Sequence, residues 1–341
     1  MKLVTCLLVV VITLIAAGIV HASPTERERT AATVYYDGAG EFKLTVGVFD
    51  QEKGAASAVF LNEIFQNGWG KLNVTSNPKF DDEVQMFAAG YVEGYLTRQQ
   101  IYDHALNQYF AFGFTMDAIP RAISDFMSHN LKFMRDQVQI HHVREMMKKK
   151  RNEPIVPEDN ILYWKHVGLV LKQMEGLVHG YNKDLNDPSK TISELQMFIL
   201  NAAGDMGTLV AALTPTKTQM LEQKMLAERR DDSNDQLTDC SALIKFTGHD
   251  LFAGHTTWRS YGIIDKFYKI YNFGLHNATS GKVSFSSSPA FLSSKDDFYI
   301  VQPANLVLME TTNSIFNLTL YKALTPSSVL CWVRSIVANQ L

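Results

Sequence analysis

Cys240 is the residue in this chain best placed for nucleophilic chemistry. It follows the run Ala227-Glu228-Arg229-Arg230-Asp231-Asp232-Ser233-Asn234-Asp235-Gln236, nearly all charged or polar, and opens the apolar run Ser241-Ala242-Leu243-Ile244. A thiol at the junction of an exposed acidic stretch and a core strand is open to chemistry in a way that a mid-strand cysteine is not. Cysteine is also among the most often buried residue types, and the residue pattern alone leaves an inert core thiol as an open reading. Other chemistries lack local support. No G-x-S-x-G elbow, H-E-x-x-H pair or P-loop is present, and no C-G-x-C-W word marks a papain-like protease. His141-His142 and the pair His249 and His255 do not have dependable metal-ligand spacing, so neither a metal nor another cofactor is expected.

The elements that must hold Cys240 come in three blocks. Short alternating stretches, Thr33 to Tyr36, Phe42 to Val48 and Trp69 to Val74, predict opening strands around a short helical piece. From Asp81 the apolar period becomes helical. It predicts helices over Asp82 to Tyr95, Arg98 to Phe112, Ile119 to Met147, Pro157 to Tyr181 and Ile192 to Leu213, with Asp82 and Ser193 as N-caps and Pro157 in a first turn. Lys148-Lys149-Lys150-Arg151 reads as a solvated loop between two helices, with a protease-sensitive loop as the alternative. After the polar run, strands are predicted at Ser241 to Phe246, Leu251 to Thr257, Val283 to Ser287, Phe298 to Gln302 and Leu306 to Thr311. Strands, a helical block and strands again predict an α+β architecture over a doubly wound parallel sheet. Small residues in Gly90-Tyr91-Val92-Glu93-Gly94 and Asn201-Ala202-Ala203-Gly204 suit close helix approach, and Tyr109, Phe110, Phe112 and Phe114 suit a core.

The first residues have the three parts of a secretory signal: Lys2, an apolar stretch from Leu3 to Val20, and the exit Val20-His21-Ala22. Cleavage after Ala22 is expected, which assigns residues 1–22 to a signal peptide and leaves no transmembrane anchor. Three sequons, at Asn73, Asn277 and Asn317, fit a lumenal address as glycosylation sites. A net charge of -3 with 20% charged residues shows no bias toward nucleic acid. Once Cys6 has left with the signal, Cys240 and Cys331 remain, enough for one disulfide and too few for a disulfide framework.

Longer words along the chain resemble the phospholipase B-like family, which includes lysosomal proteins. They are Thr238-Asp239-Cys240-Ser241-Ala242-Leu243-Ile244-Lys245, Gly248-His249-Asp250-Leu251 and His255-Thr256-Thr257-Trp258. Asn67-Gly68-Trp69-Gly70, Ala88-Ala89-Gly90-Tyr91-Val92-Glu93-Gly94, Asp205-Met206 and Met309-Glu310-Thr311-Thr312-Asn313-Ser314 extend the resemblance from about Tyr35 to the last residues. It implies an N-terminal nucleophile hydrolase-like αββα sandwich with a large helical block. Family members are longer, so the resemblance also implies an incomplete sandwich with exposed strand edges and apolar faces.

For the chemistry, the resemblance implies self-cleavage between Asp239 and Cys240. The two fragments would be residues 23–239, ending in the polar linker 227–239, and residues 240–341, opening on the nucleophile. The new α-amine, with an unperturbed pKa of about 7.7 to 8.0, would then serve as base for its own thiol. His255 and Trp258 are implied near the thiol, with His255 polarising it or assisting cleavage, and Asn313 as an oxyanion donor. The implied substrate is a lipid or another small molecule with an ester or amide bond, met in the lysosome lumen or outside the cell. A non-catalytic glycoprotein with a binding role is the alternative, and self-cleavage separates the two.

Overall fold

The computed structural model describes residues 28–214, 240–258, 261–296, 298–310 and 318–341. The expected signal peptide and the polar linker 227–239 lie outside the described residues. Antiparallel strands β1 (Glu28–Tyr36), β2 (Phe42–Val46), β3 (Ala56–Glu63) and β4 (Trp69–Ser76) make one half of a sheet, with the one-turn helix α1 (Ile64–Asn67) between β3 and β4. The other half is β7 (Lys266–Asn272), β8 (Lys282–Ser287), β9 (Phe298–Gln302) and β10 (Leu306–Met309), again antiparallel. The halves join through one parallel pair, β4 with β7, giving the order β10-β9-β8-β7-β4-β3-β1-β2. Apart from this sheet stands the hairpin β5 (Cys240–Phe246) and β6 (Leu251–Thr257).

Between the halves runs a helical block: α2 (Asp82–Leu96), α3 (Arg98–Ala111), α4 (Arg121–Arg151), α5 (Ile161–Asn182), α6 (Glu194–Asn201) and α7 (Ala203–Leu213). A last helix, α8 (Cys331–Gln340), packs into the same core through Trp332, Val333, Ile336 and Val337. Helices cover one face of the sheet. Ala32, Val34, Phe60, Leu72, Val74, Phe267, Tyr271 and Phe285 alternate onto that face and bury against Met86, Ala89, Val92 and Leu169. On the opposite face Lys71 and Asn73 are exposed, as is Ile300.

This is the expected α+β class. The described residues form one eight-stranded sheet and one two-stranded hairpin. The hairpin leaves Leu243, Ile244, Phe246, Leu251 and Phe252 each at least 59% exposed.

Local differences from the sequence pattern have physical causes. Strand β7 is not among the expected strands because Lys269 occupies its buried face between Phe267 and Tyr271, which breaks the apolar alternation. The helix expected over Ile192 to Leu213 is two helices bent by 96°. At the break, Asn201 donates to the Ala290 carbonyl at 3.1 Å and accepts from the Leu292 amide at 2.9 Å, tying the loop after β8 to the bend. Asp82 is the first helical residue, not the cap; its carboxylate instead takes Lys165 at 2.6 Å and His276 at 2.7 Å. Ser193 does cap α6, in a capping box with Gln196. Pro157 sits in a separate 3-10 turn before α5. The basic run at 148–151 is the last turn of α4, where cations suit the helix dipole, and Lys148 and Lys149 pair with Asp159 and Glu145. Phe110 is 83% exposed, whereas Tyr109 is buried and Phe112 and Phe114 pack against the helical core as expected.

One core group makes stability depend on pH. His104 of α3 is fully buried edge-on to Phe291, and neither ring nitrogen has a hydrogen-bond partner among the described residues. Burial first, then the charges of Lys266 and Lys269, push its pKa from 6.5 down to about 3. The unfolded chain therefore binds a proton that the folded chain refuses, and stability falls as pH drops below 6.5. The slope approaches about 1.4 kcal/mol per pH unit. His104→Leu should flatten the denaturation-midpoint profile, recovering about 2 kcal/mol at pH 5 relative to pH 7. An unchanged profile would show that His104 is solvated in the folded chain.

Candidate functional site

The hairpin is the element that carries Cys240 and His255. Its register sets Cys240 directly opposite Thr257 and Ala242 directly opposite His255. Opposed residues in an antiparallel pair share a face, and so do residues two apart on one strand, so Cys240, Thr257 and His255 lie on one side, with Cys240 and His255 as diagonal neighbours. That side faces the large sheet. Thr257 and His255 line a cleft of about 480 Å³ whose floor is Trp69, Lys266, Ser286 and Phe298, one residue each from β4, β7, β8 and β9 on the face away from the helices. Ile263, Ile264 and Tyr261 add an apolar wall, and Asp296 closes the end.

Two hydrogen bonds hold the hairpin over the cleft. The Thr257 hydroxyl donates to the Asp296 carbonyl at 2.9 Å. His255 Nε2 lies 2.7 Å from the Glu310 carbonyl, an acceptor only, so Nε2 carries the proton. In the neutral ring Nδ1 is then the basic nitrogen, 3.4 Å from Thr257 Oγ1 on the side that Cys240 shares.

The floor holds a second set of polar groups that the sequence did not single out. Lys266 pairs with Asp296 at 2.5 Å, and both side chains are largely shielded. Ser286 is buried with no hydrogen-bond partner for its hydroxyl among the described residues. No local motif announces these groups, since four strands and two loops bring them together. Trp69, within the word Asn67-Gly68-Trp69-Gly70, is the single sequence signal that reaches this cleft from the first half of the chain.

The other expected site residues fall as follows. Trp258 lies just past β6, 63% exposed, with its indole nitrogen donating to Thr256 on the opposite side of the hairpin from Cys240. Asp239, Asn313 and Asn317 lie outside the described residues. Asn73 is exposed on β4, on the sheet face away from the helices, and Asn277 is exposed in a turn with φ of 63°. Cys240 and Cys331 are both thiols, not a disulfide. Cys331 begins α8, where its amide donates to the Asp205 carboxylate at 3.1 Å, and burial raises the pKa of that carboxyl. Among the described residues no single helix is long and apolar enough to cross a membrane.

Comparison with known proteins bears on the same residues. The family model described as phospholipase B matches residues 56–341. Phospholipase B-like protein D of Dictyostelium discoideum is 34% identical over 307 residues, covering 88% of this chain and 50% of that protein. Phospholipase B-like 1 of Rattus norvegicus is 33% identical over 85% of this chain and 49% of its own length. Phospholipase B-like 1 of Homo sapiens is 32% identical over 91% of this chain and 52% of its own length. The chain thus spans about half the length of the curated relatives it matches.

Proposed function

This chain belongs to the phospholipase B family, and we propose that it is a hydrolase of ester or amide bonds whose nucleophile is the Cys240 thiol, exposed by self-cleavage after Asp239. The observation that carries the proposal is the hairpin register, which sets Cys240 beside His255 and Thr257 on the side facing the cleft.

The first step needs a base other than an α-amine, because in the uncut chain the nitrogen of Cys240 is still an amide. His255 Nδ1 fills that role: it takes the thiol proton, and sulfur attacks the Asp239 carbonyl carbon. The carbon–nitrogen bond breaks, the nitrogen leaves protonated as the α-amine of Cys240, and Asp239 is left as a thioester. Water then hydrolyses the thioester to a carboxylate and returns the thiol. In turnover, the α-amine or His255 takes the thiol proton, sulfur attacks the substrate carbonyl, the alcohol or amine departs with that proton, and water releases the acid. Asn313 enters as the oxyanion donor, whereas Trp258, whose indole nitrogen bonds Thr256 on the other side of the hairpin, takes no part in the step. The expected secretory signal supports an address in the lysosome lumen or outside the cell, with glycans at the exposed Asn73 and Asn277 and at Asn317.

The test is expression in a eukaryotic host beside Cys240→Ala, followed by intact mass and N-terminal sequencing after mild acid treatment. The expected result is a new terminus Cys240-Ser241-Ala242 in the parent and one chain in the variant. A single folded chain in both overturns self-activation and favours the non-catalytic binding glycoprotein, for which the exposed apolar hairpin would be the binding surface.

A further inference from the structure

Behind the cleft, on the helix face of the same end of the sheet, lies a second groove of about 450 Å³, walled by β1, β3, α1 and the first turns of α3. Asp265 and Lys266 follow one another along the chain and serve opposite sides: Lys266 lines the cleft and Asp265 the groove. The groove holds charges of both signs that do not meet. Arg98 stacks its guanidinium 4.0 Å from the centroid of the Tyr95 ring and donates from Nε to the Tyr95 carbonyl at 3.4 Å, with no carboxylate partner among the described residues. Asp265 pairs with no cation among them. The charge that acts on it is Asp103, whose two oxygens take the neutral Gln99 amide at 3.0 Å each. Burial first and then the Asp103 charge raise the Asp265 pKa, so a negative charge at that end is disfavoured. The rest of the wall is apolar: Phe60, Ile64, Leu96 and Phe65, the last 97% exposed.

We propose that this groove binds a zwitterion of dipeptide length, with its carboxylate on Arg98, its ammonium at Asp103 and Asp265, and its side chains on Phe60, Phe65 and Leu96. Length selects the ligand. From Arg98 to Asp103 the helix rises about 7.5 Å, and two residues of extended chain span at most about 7 Å. A single amino acid, with both charges on one residue, answers one end and leaves the other unpaired. Charge selects it as well. An anion alone leaves the two carboxylates repelling each other, and a cation alone leaves Arg98 without a partner, whereas the zwitterion answers both. The Arg98 guanidinium suits a carboxylate, and an ammonium beside Asp265 offsets the repulsion from Asp103. The site is separate from the Cys240 cleft, so it stands whether or not that cleft is hydrolytic.

The test needs no turnover. The full chain bearing Cys240→Ala is titrated calorimetrically at constant ionic strength with leucyl-leucine, its N-acetyl form, its C-terminal amide and leucine. Leucyl-leucine should bind at least tenfold more tightly than each of the other three. In the same background Arg98→Gln should erase the preference for the dipeptide over its amide and keep the preference over the N-acetyl form. Asp265→Asn, which keeps the side-chain shape, should do the converse, shrinking the preference over the N-acetyl form at least threefold. Equal affinity for the four probes, or no binding to a chain with intact near-ultraviolet dichroism, overturns the proposal without recourse to the variants. So does a loss of affinity for all four probes together in both variants, which marks Arg98 and Asp265 as merely structural.

Discussion

Lys269→Met should destabilise the chain by about 3–5 kcal/mol, read as the shift in a urea or guanidinium midpoint, because it leaves a carboxylate buried without its cation. The Lys269 ammonium is fully buried, 2.6 Å from Glu93 Oε1 and 2.6 Å from the Phe291 carbonyl, while the Tyr271 hydroxyl donates to the other Glu93 oxygen at 2.6 Å. These bonds pin α2 to β7 and to the loop after β8, both far from α2 in sequence. Burial pulls the Lys269 pKa down against the opposing pull of Glu93, and burial followed by Glu93 drives the Tyr271 pKa well up. Neutralising both partners together removes the isolated charge. Glu93→Gln with Lys269→Met should therefore be less destabilising than Lys269→Met alone, by more than about 1 kcal/mol. A double variant as unstable as the sum of the singles would show that the pair does not act as a unit.

The second large effect lies where α2 crosses α5. Gly90 and Gly94 on one helix and Gly176 and Gly180 on the other have the same four-residue spacing, and each meets the partner's backbone directly. A β-carbon at Gly176 would overlap the Phe87 carbonyl oxygen, one at Gly180 the Tyr91 carbonyl oxygen, and one at Gly90 the Gln173 carbonyl oxygen. A side chain can rotate out of the way; a carbonyl within a helix cannot. Gly176→Val should cost about 3 kcal/mol, at the high end for overpacking, and should loosen the helix pair against proteolysis. Gly207, mid-helix in α7 with nothing within 4 Å of the added carbon, is the counterpart. Gly207→Ala should stabilise by about 0.5–1 kcal/mol through lower unfolded-state entropy and higher helix propensity. Equal destabilisation by both substitutions would mean that the crossing is not set by backbone contact.

Periodic residues were legible in advance, and residues that break the period were not. The runs of α2, α4 and α5 and the alternation of β8 and β9 announced themselves because one face of each is apolar. Strand β7 did not, because Lys269 sits among its core residues with its charge answered by Glu93 from a distant helix. The bend after Asn201 was hidden for a similar reason: the side chain that terminates α6 does so by bonding Ala290 and Leu292, which no local pattern reveals. At the candidate site, Cys240 and His255 were legible as words that belong to one hairpin. Lys266, Ser286 and Asp296 were not, since strand pairing, not sequence neighbourhood, gathers them.

The parallel pair β4–β7 gives the proposed cleavage an unusual outcome. It joins the strands before the helical block to those after it, residue against residue from Trp69 with Lys266 to Thr75 with Asn272, in the middle of one continuous sheet. A break between Leu213 and Cys240 would therefore not release two pieces; they would copurify under native conditions as a single nicked body. Unfolding would change that. The uncut chain regains its sheet in a unimolecular step, but the nicked one must bring two polypeptides together again, so its recovery after denaturation would depend on concentration and fade on dilution. Self-cleavage would turn a reversible fold into one that is practically assembled only once.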